Sequence, residues 1–185
     1  IHTPLGVILH TGDFKIDYTP IDGQIIDLQR IAELGKKGIL LMMADSTNVE
    51  RPGSTMSEKS VGASFEDIFR NTKSRIIVAT FSSNVHRVQQ IVDAAYKYNR
   101  KIVISGRSMI NVSNVAQELG RLIIPEGLII DVNSIDQYED HEIVIITTGS
   151  QGEAMAGLSR MATSDHRKLD IRTGDTVVFS ATPIP

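Results

Sequence analysis

The 185-residue sequence contains no cysteine, which excludes a disulfide framework and a thiolate metal site and leaves His, Asp and Glu as the available metal ligands. That absence fits a reducing, cytoplasmic compartment. Long apolar runs are missing as well: "GILLMMA" and "EIVIITT" fall far short of the roughly 18 residues a membrane helix needs, and no basic, apolar, small-residue leader stands at the start. No membrane role is expected. Positive charge is not in surplus, the formal net charge being -3, which argues against a generically basic nucleic-acid coat but leaves room for a local basic groove. Neither GxGxxG nor GxxxxGK[ST] follows a strand, so two nucleotide fingerprints are absent. The five histidines, His2, His10, His86, His141 and His166, show no HxH or HExxH spacing. A metal site is therefore expected to be incomplete or completed from outside the chain. A start at Ile1 and a Pro-rich ending, "SATPIP", read as a piece cut from a longer protein.

What is present is a regular alternation. With 41% apolar residues the chain can bury a full core, as one domain or one plus a fragment. Strands are expected at residues 6–10, 38–44, 75–81, 101–105, 128–131, 142–148 and 176–181. Most are apolar nearly throughout, as strands are when helices cover both faces of a parallel sheet. Between them, Val61, Phe65, Ile68 and Phe69, and then Val88, Ile91, Val92 and Ala95, fall at helical spacing. Weaker stripes surround Leu28, Ile31 and Ala32, then Val112, Val115, Ala116 and Leu119, and then Met155, Leu158, Met161 and Ala162. Thr55 with Glu58 and Ser150 with Glu153 have capping-box spacing, and Ser82 or Ser83 can cap the helix through His86. The pattern predicts an α/β fold: a three-layer, doubly wound, mainly parallel sheet flanked by helices. The first residues differ in texture, reading as strand, turn and extended strand, with a boundary expected near residue 20.

In open α/β sheets ligands collect at the carboxyl ends of strands, where helix N-termini present unpaired N–H groups. Polar residues gather at those ends: Asp45 to Asn48; Ser82, Ser83, Asn84, His86 and Arg87; Gly106, Arg107 and Ser108; and Gly149 to Glu153. Together they read as a phosphate-binding rim. Each loop taken singly has a plain explanation, because Ser, Thr, Asn and Gly at such junctions are what capping requires. Asp13 in "TGDF" is good turn chemistry, and Asp45 can be a simple cap. Yet both carboxylates directly follow apolar strands, where catalytic groups often sit. From the residues alone the reading stops at an α/β domain with a possible phosphate ligand, and a mononucleotide-binding or regulatory module without hydrolase activity stands as the alternative.

The ordered set "HTGDFKID", "ADSTN", "TFSSNVHR", "SGRSM", "TTGSQGEAMAGLSR" and "GDTVVFSATPIP" resembles the ribonuclease J family, in the β-CASP group of the metallo-β-lactamase superfamily, over essentially the whole chain. The resemblance implies a composite protein in which the β-CASP domain interrupts a metallo-β-lactamase αββα domain. Residues 1–20 would end the first lactamase segment, and 21–185 would be the β-CASP domain. It implies that Asp13 bridges two divalent metal ions, zinc or manganese, and that Asp45 supports the active-site network. The remaining ligands lie in histidine motifs outside this chain, so the fragment is expected to bind no metal and to be inactive alone. The full protein is expected to cut single-stranded RNA internally and processively from the 5′ end, and to assemble as a homo-oligomer. Combined with the edge argument, the family's use of its cleft makes Phe81 a candidate base-stacking platform. Ser82, Asn84, His86, Arg87, Arg107 and Ser150 are candidate contacts to phosphates or bases.

Overall fold

The computed structural model describes residues 1–181, and the end of the Pro-rich connector, 182–185, lies outside them. The chain divides into two compact units, Ile1–Ser60 and Val61–Pro185. The boundary expected near residue 20 falls inside the first.

In the first unit β1 (His2–Thr3) pairs antiparallel with β2 (Gly6–His10), and β2 pairs parallel with β3 (Leu41–Met43). Gly6 adopts a φ of +148°, and a Cβ there would stand 3.0 Å from Leu40 Cβ, so the hairpin corner requires glycine. The crossover between β2 and β3 carries α1 (Leu28–Lys37), capped by Asp27, whose carboxylate accepts from Arg30 N at 2.8 Å. The burial expected here is not found. Leu34 is the buried residue of α1, Leu28 and Ile31 stay partly exposed, and all three residues of β3 are exposed. The apolar sequence of 38–44 reads as a covered strand, but within this unit no apolar layer covers it.

The second unit has the predicted doubly wound architecture. β4 (Ile76–Ala79), β5 (Lys101–Ile104), β6 (Ile143–Thr147) and β7 (Thr176–Phe179) form a fully parallel sheet in the order β5-β6-β4-β7. Every residue of β4 and β6 is buried, as their unbroken apolar runs predict. One face, with Ile76, Val78, Ile102, Val144 and Ile146, packs against Phe65 and Phe69 of α2 (Glu58–Asn71), Val88, Ile91, Val92 and Ala95 of α3 (Val85–Lys97), and Met109 and Ala116 of α4 (Arg107–Glu118). The other face, with Ile77, Ala79, Val103, Ile143 and Ile145, meets Leu158 and Met161 of α5 (Gly157–Ala162) together with Ile135 and Leu169.

Several local expectations need correction. Residues 128–131 form a single bridge, Ile129 to Ile102, rather than a strand, because Asp131 caps a 3₁₀ turn at Val132–Gln137 that takes the chain away. The weaker stripe on α4 is only partly turned inward, with Val115 and Leu119 exposed. Asn84 rather than Ser82 or Ser83 caps α3, accepting from Arg87 N at 3.0 Å. Ser150 and Glu153 open a turn and not a helix, since α5 starts at Gly157. Glu58 N at the start of α2 is met by Asp17 Oδ2 at 3.0 Å, not by Thr55.

Candidate functional site

Two sets of residues stand at strand ends, one in each unit. In the first unit the parallel register aligns His10 with Met43, so the loops beginning at Thr11 and Ala44 leave the same edge of the sheet. Thr11 stitches them together. Its N–H donates to Met43 O at 3.0 Å, and its Oγ1 accepts from Asp45 N at 3.0 Å. His10 Nδ1 accepts from Gly12 N at 3.0 Å and holds the turn that carries Asp13. The Asp13 carboxylate is exposed and has no hydrogen-bond partner among the described residues. Asp45 is engaged instead: Oδ1 accepts from Thr47 Oγ1 at 2.7 Å and from Thr47 N at 3.0 Å. The Thr47 hydroxyl, followed by the Thr47, Phe14 and Ser46 backbone N–H groups, favours the ionised form and holds its pKa below the usual carboxylate value. The involvement of the Phe14 N–H places the Asp45 carboxylate against the chain that follows Asp13.

Whether these residues fit a metal pair is a matter of counting donors. Asp13 supplies one carboxylate, whereas a zinc ion takes about four ligands and harder cations take more. Among the described residues no cluster of three or more His, Asp or Glu could hold a metal ion. The groups present do not by themselves fit the implied ion pair.

In the second unit the predicted rim residues share the carboxyl edge of the sheet, but they differ in availability. Phe81 and Ser82 are half-buried, and His86 and Arg107 are exposed. Asn84 spends its side-chain oxygen on the α3 cap. Arg87 is buried and turned to the end of β7, its Nη1 donating to Ser180 O at 2.8 Å and Ser180 Oγ at 2.7 Å. Ser150 is buried and its Oγ has no partner among the described residues, a hydroxyl whose desolvation nothing offsets.

The structure adds a feature that the sequence reading did not assemble. A cleft of about 570 Å³ opens between the ends of β5 and β6, with Arg107, Ser108, Asn111, Thr148, Arg160 and His166 in its lining. Helices after adjacent strands β5 and β6 pack on opposite sheet faces, the arrangement that leaves a crevice at the strand ends. Thr148 lies between the two helix starts: Gly157 N donates to its Oγ1 at 3.3 Å, and a Cβ on Gly106 would come within 3.4 Å of that oxygen. His166 braces one side. Its Nδ1 accepts from Leu169 N at 3.1 Å and Lys168 N at 3.3 Å, so the neutral ring carries its proton on Nε2 and donates to Ser105 Oγ at 3.1 Å. Burial, and then the Arg160 charge, push its pKa below the ordinary histidine value, with Asp170 opposing. In the sequence His166 is one of five scattered histidines and Arg160 carries no motif spacing of its own. Their convergence with Arg107 depends on strand order, which spacing along the chain does not encode.

A parallel α/β sheet wound on both faces, with its polar loops on one edge, is an architecture consistent with a β-CASP domain. The chain belongs to the ribonuclease J family: the model of the family described as "Ribonuclease J, beta-CASP domain" matches residues 73–185. Over its whole length the chain is 49% identical to Ribonuclease J of Synechocystis sp. and 48% identical to Ribonuclease J of Helicobacter pylori strain ATCC 700392 / 26695, covering 29% and 27% of those proteins. Over 99% of its length it is 44% identical to Ribonuclease J2 of Bacillus subtilis strain 168, covering 33% of that protein. The chain thus spans about a third or less of these curated relatives. No helix among the described residues is long and apolar enough to cross a membrane.

Proposed function

We propose that this chain works within a longer, metal-dependent ribonuclease that hydrolyses phosphodiester bonds of single-stranded RNA, both internally and in the 5′ to 3′ direction from an RNA end. One observation carries the reading beyond family membership: Thr11 ties the Asp13 loop to the Asp45 loop at one edge of the β2–β3 pair. In this reading Asp13, a carboxylate with no hydrogen-bond partner among the described residues, is offered to divalent ions, zinc or manganese, whose other ligands come from flanking segments. Asp45 stays ionised beside it and orients the network around it. The second unit guides the strand, with Phe81 as a stacking surface and Ser82, His86 and Arg107 as outward contacts. Asn84, Arg87 and Ser150 shape the loops from within. The chain alone is inactive, because its donors do not complete a metal centre. The parallel pairing of β2 with β3 and the division at Ser60 favour assigning the first unit to the lactamase-type domain, which moves the junction from residue 20 towards residue 60. The working protein is a cytoplasmic homo-oligomer.

The test uses the full-length protein carrying this chain. RNA cleavage should require a divalent ion and vanish on chelation. Asp13→Ala should lower the rate at least about 100-fold and Asp45→Ala about 10- to 100-fold, the range seen when metal-supporting groups are lost. A 5′-monophosphorylated strand and a circular RNA separate the end-dependent from the internal activity. Full activity in Asp13→Ala would overturn the assignment. Absence of cleavage, with saturable binding of a nucleoside monophosphate by the chain, would replace it with a nucleotide-binding module.

A further inference from the structure

We propose that the cleft between the ends of β5 and β6 is a phosphodiester subsite in which Arg107 and Arg160 hold an internal phosphate of the RNA strand. The inference rests on the ribonuclease reading for its ligand, while the features that define the site are those of the cleft itself. Both arginines are among the residues that line the cleft, and no Asp or Glu is. Neither arginine makes an ion pair among the described residues, and the Arg160 guanidinium has one recorded hydrogen bond, Nη2 to Asp165 O at 3.2 Å. Like charges sharing a cleft without a counterion raise the local potential. His166 senses the Arg160 charge, which after burial is the second influence against its protonation, with Asp170 opposing. An anion relieves that potential.

The remaining chemistry narrows the anion. Ser108, Thr148 and Asn111 offer neutral donors beside the two arginines, suited to the several oxygens of a phosphate. Met155, 85% exposed, adds an apolar flank, and guanidinium planes themselves stack on bases. A volume of about 570 Å³ falls in the range of roughly 300–1,000 Å³ typical of small-ligand sites and leaves room for a nucleotide unit. Position favours a strand over a free nucleotide. β4 and β5 flank β6, so the cleft opens on the same edge as the Phe81–Asn84 loop, between one and two strand spacings or ~7 Å along the sheet. A strand resting on that loop continues into the cleft.

The experiment measures binding of a 5′-hydroxyl single-stranded RNA oligonucleotide to the full-length protein by fluorescence anisotropy across a salt series, in the presence of chelator to prevent cleavage. Arg107→Ala and Arg160→Ala should each weaken binding about 10-fold and reduce the slope of log K against log salt by about 0.7. Arg107→Lys should recover most of the slope, which a merely structural role would not predict. Arg107 is exposed, so its variants also guard against a folding defect at Arg160, checked by circular dichroism. Unchanged affinity and slope in Arg107→Ala, in a protein that still cleaves RNA when metal is restored, would overturn the subsite and leave the ribonuclease reading standing. Loss of inorganic phosphate or nucleoside monophosphate binding, with RNA binding intact, would also overturn the strand assignment. A wild-type protein that neither binds nor cleaves RNA would instead remove the ribonuclease reading on which the ligand depends.

Discussion

His166 shows how much one side chain fixes. Two backbone N–H groups donate to its Nδ1 and its Nε2–H reaches Ser105 Oγ, an arrangement available only to the neutral ring. Protonation would set an N–H against two donors beside the Arg160 charge, with Asp170 offering partial relief. Burial, and then the Arg160 charge, hold the folded-state pKa below the ordinary 6.5. The sign follows from linkage: the unfolded chain binds the proton first as pH falls, so this contribution to stability is fully present above 6.5 and is lost as pH drops towards the folded pKa. Denaturant unfolding at pH 7.5, 6.5 and 5.5 should show the wild type losing stability relative to His166→Gln as the solution is acidified. A gap between the two proteins that does not change with pH would show that the ring does not titrate in this way.

At the scale of elements, the sheet is tied at its amino edge by an ion pair that no local pattern announces. Arg75 stands before β4 and Asp175 before β7, a hundred residues apart, and both are nearly fully buried. The pairing is bidentate, Nε to Oδ1 at 2.8 Å and Nη2 to Oδ2 at 2.5 Å, with Nη2 also reaching Asp170 O at 3.0 Å. Removing one partner strands the other charge in the core. Asp175→Ala should therefore cost about 3–5 kcal/mol, read as a fall in the denaturation midpoint, whereas a loss under about 1 kcal/mol would place the pair among exposed bridges. The same elements show where sequence suffices. The cores of β4 and β6 and the stripes Val61 to Phe69 and Val88 to Ala95 were legible because period and composition report burial on both sides of a parallel sheet. The caps of α2 and α3 were not, since Asp17 reaches Glu58 N from forty-one residues away and Asn84 competes with two neighbouring serines. Asp13 and Asp45 were legible as strand-end acids. Their stitching through Thr11 was not, because it depends on β2–β3 pairing, and neither was the union of Arg107 with Arg160.

For the whole molecule, apolar burial is distributed unevenly, and this sets an order of local stability. Both core clusters lie in the second unit, while Leu34 is the one residue of the first unit in the buried hydrophobic set. Each fully buried aliphatic side chain is worth roughly 1.5–3 kcal/mol, so amides of β4 and β6 should exchange only through global opening and those of β2 and β3 through local fluctuation. Yet β3 is written as an apolar strand, and Leu41, Met42 and Met43 lie exposed at 48%, 58% and 41%. Exposed contiguous apolar surface marks an interaction face, and in the proposed ribonuclease that face is covered by the remaining segments of the lactamase-type domain. Hydrogen exchange followed by mass spectrometry on the chain alone and on the full-length protein separates the cases. Peptides spanning β4 and β6 should be equally protected in both, whereas those spanning β2 and β3 should exchange fast in the chain and slow by at least about 100-fold when flanking segments are present. Equal protection of β2 and β3 in the two proteins would mean that the first unit completes its own core, and the junction near Ser60 would lose its energetic basis.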